Sequence, residues 1–284
     1  MRRIVVGSRE SKLAIIESMT VIDHINEKVT DGYAEIQTVR TTSDRIPDKD
    51  MYLKELDLAL RLSRVDLAIH SLRDVPLDLS PELPLVALSK REDARNALTL
   101  PEGKEELDQD LPIGTAFSGY VVQLKKLFPD HKIKLVRGNL QTQLKLLDSD
   151  ELGALVLAAA GLKRLGLEQR ISRYFTLDEI IPVIGQGIIA VQGRADADYE
   201  YLEDYDDWDA RVAAVCERAY ARELKEDPSS PVCVHAEIKG NKILLRALYE
   251  AADGTYRTDQ VKGSVKDAEK IGKELARRLK GEAR

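Results

Sequence analysis

One local pattern recurs along the first two-thirds of the chain and leaves few folds open to it. A short run of β-branched and apolar residues ends in a small or polar residue, and apolar residues at helical spacing follow. The stretch "RIVVGSRESKLAIIESMTVIDHINEKV" opens the series. It predicts a strand to about Val6, a turn at Gly7, Ser8 as helix N-cap and an amphipathic helix beyond. "VDLAIHSLRDVP" repeats the strand and adds a short turn that Pro76 stops. "LPIGTAFSGYVVQLKKLF", "IKLVRGNLQTQLKLLD" and "GALVLAAAGLKRLGL" follow the same grammar. Strands alternating with helices imply an α/β fold with mainly parallel sheets and crossover helices.

The stretches between these units read differently. "SKREDARNAL" is a charged crossover, and "EGKEELDQD" an acidic, solvated helix face. "IIPVIGQGIIAVQG" predicts a return strand whose two glycines let backbone pass close to a neighbour or a ligand. "DADYEYLEDYDDWDARV" reads as a linker and helix start. After it the grammar changes to strands joined by a turn at Asp253–Gly254. A final amphipathic helix follows, with Ala268, Ile271, Leu275 and Leu279 on one face. The expected division is a discontinuous first α/β domain (1–93 and 187–208), a second α/β domain (94–186) and a small α+β domain (209–284).

Bulk properties exclude several function classes. A net charge of −6 leaves no excess of Lys and Arg to neutralise phosphates, so no nucleic-acid partner is expected. No apolar run is long enough to span a membrane. Two cysteines make no disulfide framework, and four histidines show no metal-ligand spacing, so a cytoplasmic protein without a metal is expected. A monomer is expected.

Ligands of open α/β sheets sit beyond the carboxyl ends of the strands. The residues that fall there are Arg9, Ser71, Arg73, Asp74, Thr115, Arg137, Lys163 and Arg164. Any one arginine at a strand end pairs readily with a surface carboxylate. Several at equivalent ends, beside helix N-termini, point to an anionic small molecule. Asp74 stands among these positive charges. It reads either as a turn cap paired with Arg73 or as a carboxylate that stabilises a cation forming on the ligand.

At this point the motifs add up. "GSRESKLA", "LKELDLAL", "DLAIHSLRDVP", "KREDARNAL", "RGNLQTQL", "AGLKRLGL" and "IGQG" occur in the order and approximate spacing of the porphobilinogen deaminase (hydroxymethylbilane synthase) family. The resemblance runs from Arg3 to about Glu237 and weakens beyond. It implies two domains like those of periplasmic binding proteins, with a cleft between them, and a third domain that in the family carries a cysteine-bound dipyrromethane cofactor. It implies an enzyme of haem and other tetrapyrrole biosynthesis that joins four porphobilinogen units head to tail, releasing ammonia each time. By the same resemblance Asp74 matches the catalytic aspartate of the HS-x-(K/R)-DVP motif. Arg9, Arg137 and Arg164 match arginines that hold pyrrole carboxylates, and Lys49 matches a lysine of the loop over the cleft. Ser11, Ser71, Arg73 and Thr115 complete the expected substrate-binding set.

The departures from the family pattern are concentrated. Family members read like G-T-S-S-x-R-R-Q where this chain has "GTAFSGYVVQ", so Gly119 and Tyr120 stand at the paired arginines, and Ala116 and Phe117 at the hydroxyls. Gln143 replaces the second arginine of R-G-N-x-x-T-R-L, and the glycine-rich loop between Asp44 and Lys49 is shortened. Aligning "SPVCVHAE" by Pro231 and Ala236 puts Pro228 at the attachment cysteine, while Cys233 falls at a small residue of a strand. Cys233 therefore reads as a core residue, or as a substitute attachment point only if the loop re-registers; Cys216 reads as helix packing. Each lost charge-assisted contact would have contributed about 1.5–3 kcal/mol. No covalent cofactor is expected. Two functions remain open: a synthase acting on porphobilinogen without the cysteine-linked cofactor, or a non-catalytic pyrrole or polycarboxylate binder, a sensor or carrier that kept the cleft and lost the reaction.

Overall fold

The computed structural model describes residues 2–39, 49–224, 232–251 and 254–281. The chain forms two compact units: 1–91 with 188–211, and 92–187 with 212–284. Among the described residues no helix is long and apolar enough to cross a membrane.

In the first unit, β1 (Arg2–Ser8), β2 (Gly32–Thr38), β3 (Leu67–Ser71), β4 (Leu85–Leu88) and β10 (Ile189–Gly193) make one sheet in the order β2-β1-β3-β10-β4. Helices α1 (Lys12–Lys28) and α2 (Lys49–Arg61) cover it. Period-two alternation decides what each face meets. Leu67 and Ile69 of β3 join Ile4, Val6, Val21, Ile22 and Ile25 in the core beneath α1. Ala68 turns the other way and packs with Leu56 and Leu60 of α2. The N-cap of α1 is Ser11, whose hydroxyl accepts from the Ala14 amide at 3.3 Å. Ser8, the cap expected from the sequence, is instead the buried last residue of β1 and donates to the Arg9 carbonyl. The strand runs on because β2 pairs with it as far as Ser8↔Thr38.

The second unit holds β5 (Asn96–Thr99), β6 (Ile113–Thr115), β7 (Ile133–Leu135), β8 (Ala154–Ala158) and β9 (Arg173–Tyr174) in the order β7-β6-β8-β5-β9. Helices α3 (Val121–Leu127), α4 (Leu140–Leu146) and α5 (Ala159–Arg164) link these strands. The unit also contains an antiparallel sheet of β11 (Cys233–Lys239), β12 (Lys242–Glu250) and β13 (Tyr256–Ser264). Helices α6 (Trp208–Leu224) and α7 (Ala268–Lys280) complete the chain. The expected face of α7 is the buried one: Ala268, Ile271, Leu275 and Leu279 are all in the core.

Each five-stranded sheet is parallel except for one reversed strand. β10 runs antiparallel to both β3 and β4, and β5 antiparallel to both β8 and β9. The register gives the reason. Ile189 at the start of β10 faces Ser71 at the end of β3, and Asn96 at the start of β5 faces Ala158 at the end of β8. The two strands that follow the passage from one unit to the other each enter at the carboxyl edge, so each must run backwards.

Two linker readings also change. Residues 102–110 form no helix; Gly103 adopts φ +78° and the Asp108 carboxylate accepts from the Asp110 amide, which fold the stretch as turns. In 196–209, read as a linker and helix start, Tyr199, Tyr201 and Tyr205 pack on the first unit's core. The turn expected at Asp253 lies outside the described residues, whereas Gly254, at φ +79°, closes back on the Ala251 carbonyl.

Candidate active site

β1 and β3 are parallel neighbours, with Val6↔Leu67 and Gly7↔Ala68 in register, so their carboxyl ends lie side by side. Arg9 and Ser11 follow the first end, and Ser71, Arg73 and Asp74 the second. Ser71 is the last residue of β3, and Leu72–Asp74 make a single 3₁₀ turn. That turn is held at both ends: the Leu72 amide donates to the Ile188 carbonyl at 2.9 Å and the Val75 amide to the Leu72 carbonyl at 3.1 Å. Pro76, with no N–H to give, prevents continuation. Asp74 thus sits on a short, stiff turn at the carboxyl edge of the sheet. Arg9 and Asp74 both act electrostatically on the same buried ring, that of His70.

The hydroxyls expected to meet a ligand have partners within the chain. Ser11 caps α1, and Ser71 donates to both carboxylate oxygens of Glu17 at 3.0 and 3.1 Å. Glu17 is only 4 % exposed. Sequence reasoning missed it, although a carboxylate on the core-facing stripe of α1, one turn before Val21, was a visible signal. Lys49 begins α2, and its side chain lies outside the described residues.

In the second unit β6 is parallel to both β7 and β8, and Thr115 ends β6 opposite Leu135 and Val156. Thr115 is fully buried, and its hydroxyl accepts from the Phe117 amide at 3.4 Å. Arg137 is exposed, in the turn before α4. Gly138 at φ +101° gives that turn its bend, and Asn139 caps α4 by accepting from the Thr142 amide at 3.0 Å. Arg164 ends α5 and donates to the Gly187 carbonyl at 2.7 Å. Lys163 beside it lies 3.5–3.8 Å from the carboxylates of Glu92, Asp93 and Glu168.

Of the positions expected to depart from the family pattern, Gly119 and Tyr120 lie in one buried cluster with Gln123. Tyr120 is buried, stacks edge-on to Phe117 at 4.8 Å, donates its hydroxyl to Gln186 at 3.0 Å and accepts from the Val183 amide at 2.9 Å. The Gly119 carbonyl accepts from Cys233 Sγ at 3.4 Å and from the Gln123 amide at 3.3 Å. Gln143 turns inward to the Gly138 carbonyl at 2.7 Å. Cys233 is fully buried beside Gln123, and burial pushes its thiol well above the usual range. Cys216 is buried too, its thiol pushed up to about 12 chiefly by burial. A thiol must ionise to act as a nucleophile. Neither does so here, and both are expected to resist alkylation by iodoacetamide until denaturant is added, as intact mass will report. Tyr120→Phe is expected to cost about 1–3 kcal/mol, because it leaves the buried Val183 amide unpaired, and thermal melting measures it.

A family model described as "Porphobilinogen deaminase, dipyromethane cofactor binding domain" matches residues 4–201. A second, "Porphobilinogen deaminase, C-terminal domain", matches 212–281. The chain belongs to the porphobilinogen deaminase family. A porphobilinogen deaminase of Ruminiclostridium cellulolyticum is 45 % identical, over 98 % of this chain and 98 % of its own length. That of Acetivibrio thermocellus is 43 % identical over 96 % and 97 %. Among solved structures, the second substrate binding domain of a putative amino acid ABC transporter from Streptococcus pneumoniae is similar with a TM-score of 0.43 at 16 % identity, covering 72 % of this chain and 90 % of that one. The HSLRDVP and GLKRLG segments, which carry the resemblance, fall at the end of β3 with its turn and at α5.

Proposed function

We propose that this chain catalyses the hydroxymethylbilane synthase reaction of tetrapyrrole biosynthesis, deaminating porphobilinogen and joining the pyrroles head to tail. Relatives at 41–45 % identity along nearly the whole chain, all named porphobilinogen deaminase, favour the enzyme over a binder that lost its reaction. The observation that carries the reading is Asp74 on its braced turn at the carboxyl edge, with Arg9 on the adjacent strand end. In the reaction the aminomethyl C–N bond breaks, and the substrate's own ammonium nitrogen leaves as ammonia, taking the bonding pair and keeping its three hydrogens. The methylene-pyrrole cation left behind shares its charge with the ring N–H. A carboxylate held beside that N–H stabilises the cation more than the neutral substrate, which is what accelerates a step. The α-carbon of a second pyrrole then supplies the electrons of the new C–C bond and loses its proton.

Asp74 is the reacting carboxylate in this reading. Arg9, Lys49, Arg73, Arg137 and Arg164 hold the acetate and propionate groups, while Ser11 and Thr115 contribute through the turns they stabilise and Ser71 through its tie to Glu17. The family's cofactor would need a thiol and paired arginines. The buried, hydrogen-bonded Cys233 and the neutral, packed Gly119 and Tyr120 do not fit it. Pro228, at the family's attachment position, lies outside the described residues. The chain accordingly works without a thiol-linked dipyrromethane, as a cytoplasmic monomer in keeping with its two free, buried cysteines.

Intact mass before and after incubation with porphobilinogen, with ammonia followed in parallel, tests both parts. Ammonia release from a protein of unmodified polypeptide mass is expected. A resting mass raised by a dipyrrole would overturn the cofactor reading and leave the enzyme. An unmodified mass without ammonia would sink the enzyme and leave the binder.

A further inference from the structure

Leu67, Ile69 and Ser71 alternate along β3 onto the face that α1 covers. Leu67 and Ile69 share an apolar core with Val21, Ile22 and Ile25 of that helix. Ser71, the last of the row, meets a carboxylate instead: its hydroxyl lies 3.0 and 3.1 Å from the two oxygens of Glu17. Glu17, Val21 and Ile25 follow one another at four-residue spacing, all on the buried stripe of α1. Glu17 thus takes a place where an apolar side chain would cost less to bury. Packing alone does not account for it. What its bond holds stands next to Asp74. Ser71 directly precedes the Leu72–Asp74 turn, at φ −70° and ψ 128°. A serine in that place ordinarily turns its oxygen onto the amides two and three residues on, here those of Arg73 and Asp74. Ser71 makes no such cap bond, and its hydroxyl is turned to Glu17. The start of the turn is therefore anchored twice, to α1 through Glu17 and to the Ile188 carbonyl through the Leu72 amide.

We propose that Glu17 is a positioning residue for Asp74: through Ser71 it ties the turn to α1 and keeps the Ser71 hydroxyl off the turn's own amides. This rests on the reading of Asp74 as the reacting carboxylate. Asp74 is only three residues beyond Ser71, so slack at the serine carries straight into the place of the carboxylate. The role needs an acceptor for the hydroxyl rather than a negative charge. A glutamine, whose carbonyl accepts in the same place, can fill it, and an apolar side chain of the same length cannot.

The test uses Glu17→Met, Glu17→Gln and Ser71→Ala in the full chain, each alone and together with Asp74→Asn. Amide hydrogen exchange, read by NMR, compares Val75, whose N–H closes the turn, with Val29, whose N–H closes the far end of α1. Glu17→Met and Ser71→Ala are both expected to speed exchange at Val75 by about 10-fold and leave Val29 unmoved. Both should lower kcat on porphobilinogen by about 10-fold at constant KM, less than the ~10²-fold that a misplacement of about 1 Å costs. Glu17→Gln should stay within a few-fold of the parent in each measurement. In the Asp74→Asn chain neither change should lower turnover further, since the group being positioned is gone. Exchange that quickens at Val29 as much as at Val75 shows general loss of stability and overturns the proposal. So does Glu17→Met turnover within a few-fold of the parent, Glu17→Gln as slow as Glu17→Met, or an equal loss with and without the Asp74 carboxylate. If Glu17→Met does not fold, Ser71→Ala removes the same bond from its other end and decides. A parent chain that releases no ammonia would fail the functional reading, while exchange at Val75 still decides whether Glu17 holds the turn.

Discussion

Asp74→Asn is expected to lower porphobilinogen turnover by about 10²–10³-fold, the usual loss when one electrostatic stabiliser of a transition state is removed. The substitution keeps shape and removes only charge. Asp74 is half-buried at the end of a turn tied by the Leu72 and Val75 amides, and a melt of the variant separates any loss of stability from the loss of turnover. Porphobilinogen affinity should fall little, because the arginines proposed to grip its carboxylates remain. The signature is a loss in kcat with KM nearly constant. Single-turnover ammonia release, with a thermal melt of the same preparation, checks it. Turnover within a few-fold of the parent would remove Asp74 from the reaction and return it to the role of a turn cap.

The largest expected stability effect belongs to Glu217, which nothing in the local sequence singles out. Its carboxylate is fully buried on α6, accepts from the Gly185 amide at 2.8 Å and the Ala236 amide at 2.9 Å, and lies 3.9 Å from His235. One side chain thereby joins α6, the glycine segment before β10 and β11. Glu217→Ala orphans two buried amides at about 1–3 kcal/mol each. A loss on the order of 4 kcal/mol corresponds to a melting temperature lower by roughly 10 °C at about 2–4 °C per kcal/mol. Glu217→Gln keeps one acceptor and should lose about half as much. The damage should reach binding, since Gly187, two residues past the anchored Gly185, accepts from Arg164. Calorimetry of the three proteins settles the ranking, and an alanine variant melting within a few degrees of the parent would refute the brace.

Much of the first unit is legible locally because its devices are local. β3 alternates Leu67 and Ile69 against Ala68 and His70, and Pro76 stops the turn that carries Asp74. The single misplaced cap, Ser8 for Ser11, arose where pairing with β2 overrode a local turn signal. The acidic run at 102–110 was misjudged because charge spacing alone does not separate a helix face from a chain of Asx turns.

The residues that replace the family's cofactor grips are a different case. The readings of Gly119, Tyr120 and Gln143, and of Pro228 at the cysteine position, come from the resemblance; the partners of Gly119, Tyr120 and Gln143 do not. Gln123 reaches Cys233 across 110 positions, and Gln186 reaches Ala94 across 92. The sequence by itself determined the alternating elements, the family and the charged residues at the strand ends, since these depend on periodicity, turn chemistry and motif order. Only the tertiary structure decided that β5 and β10 run backwards, that Ser71 belongs to Glu17, and that Gln123 and the Gly119 carbonyl are what Cys233 meets. Each of those depends on which distant segment arrives as a neighbour, and a buried polar group must bond whatever the fold brings to it.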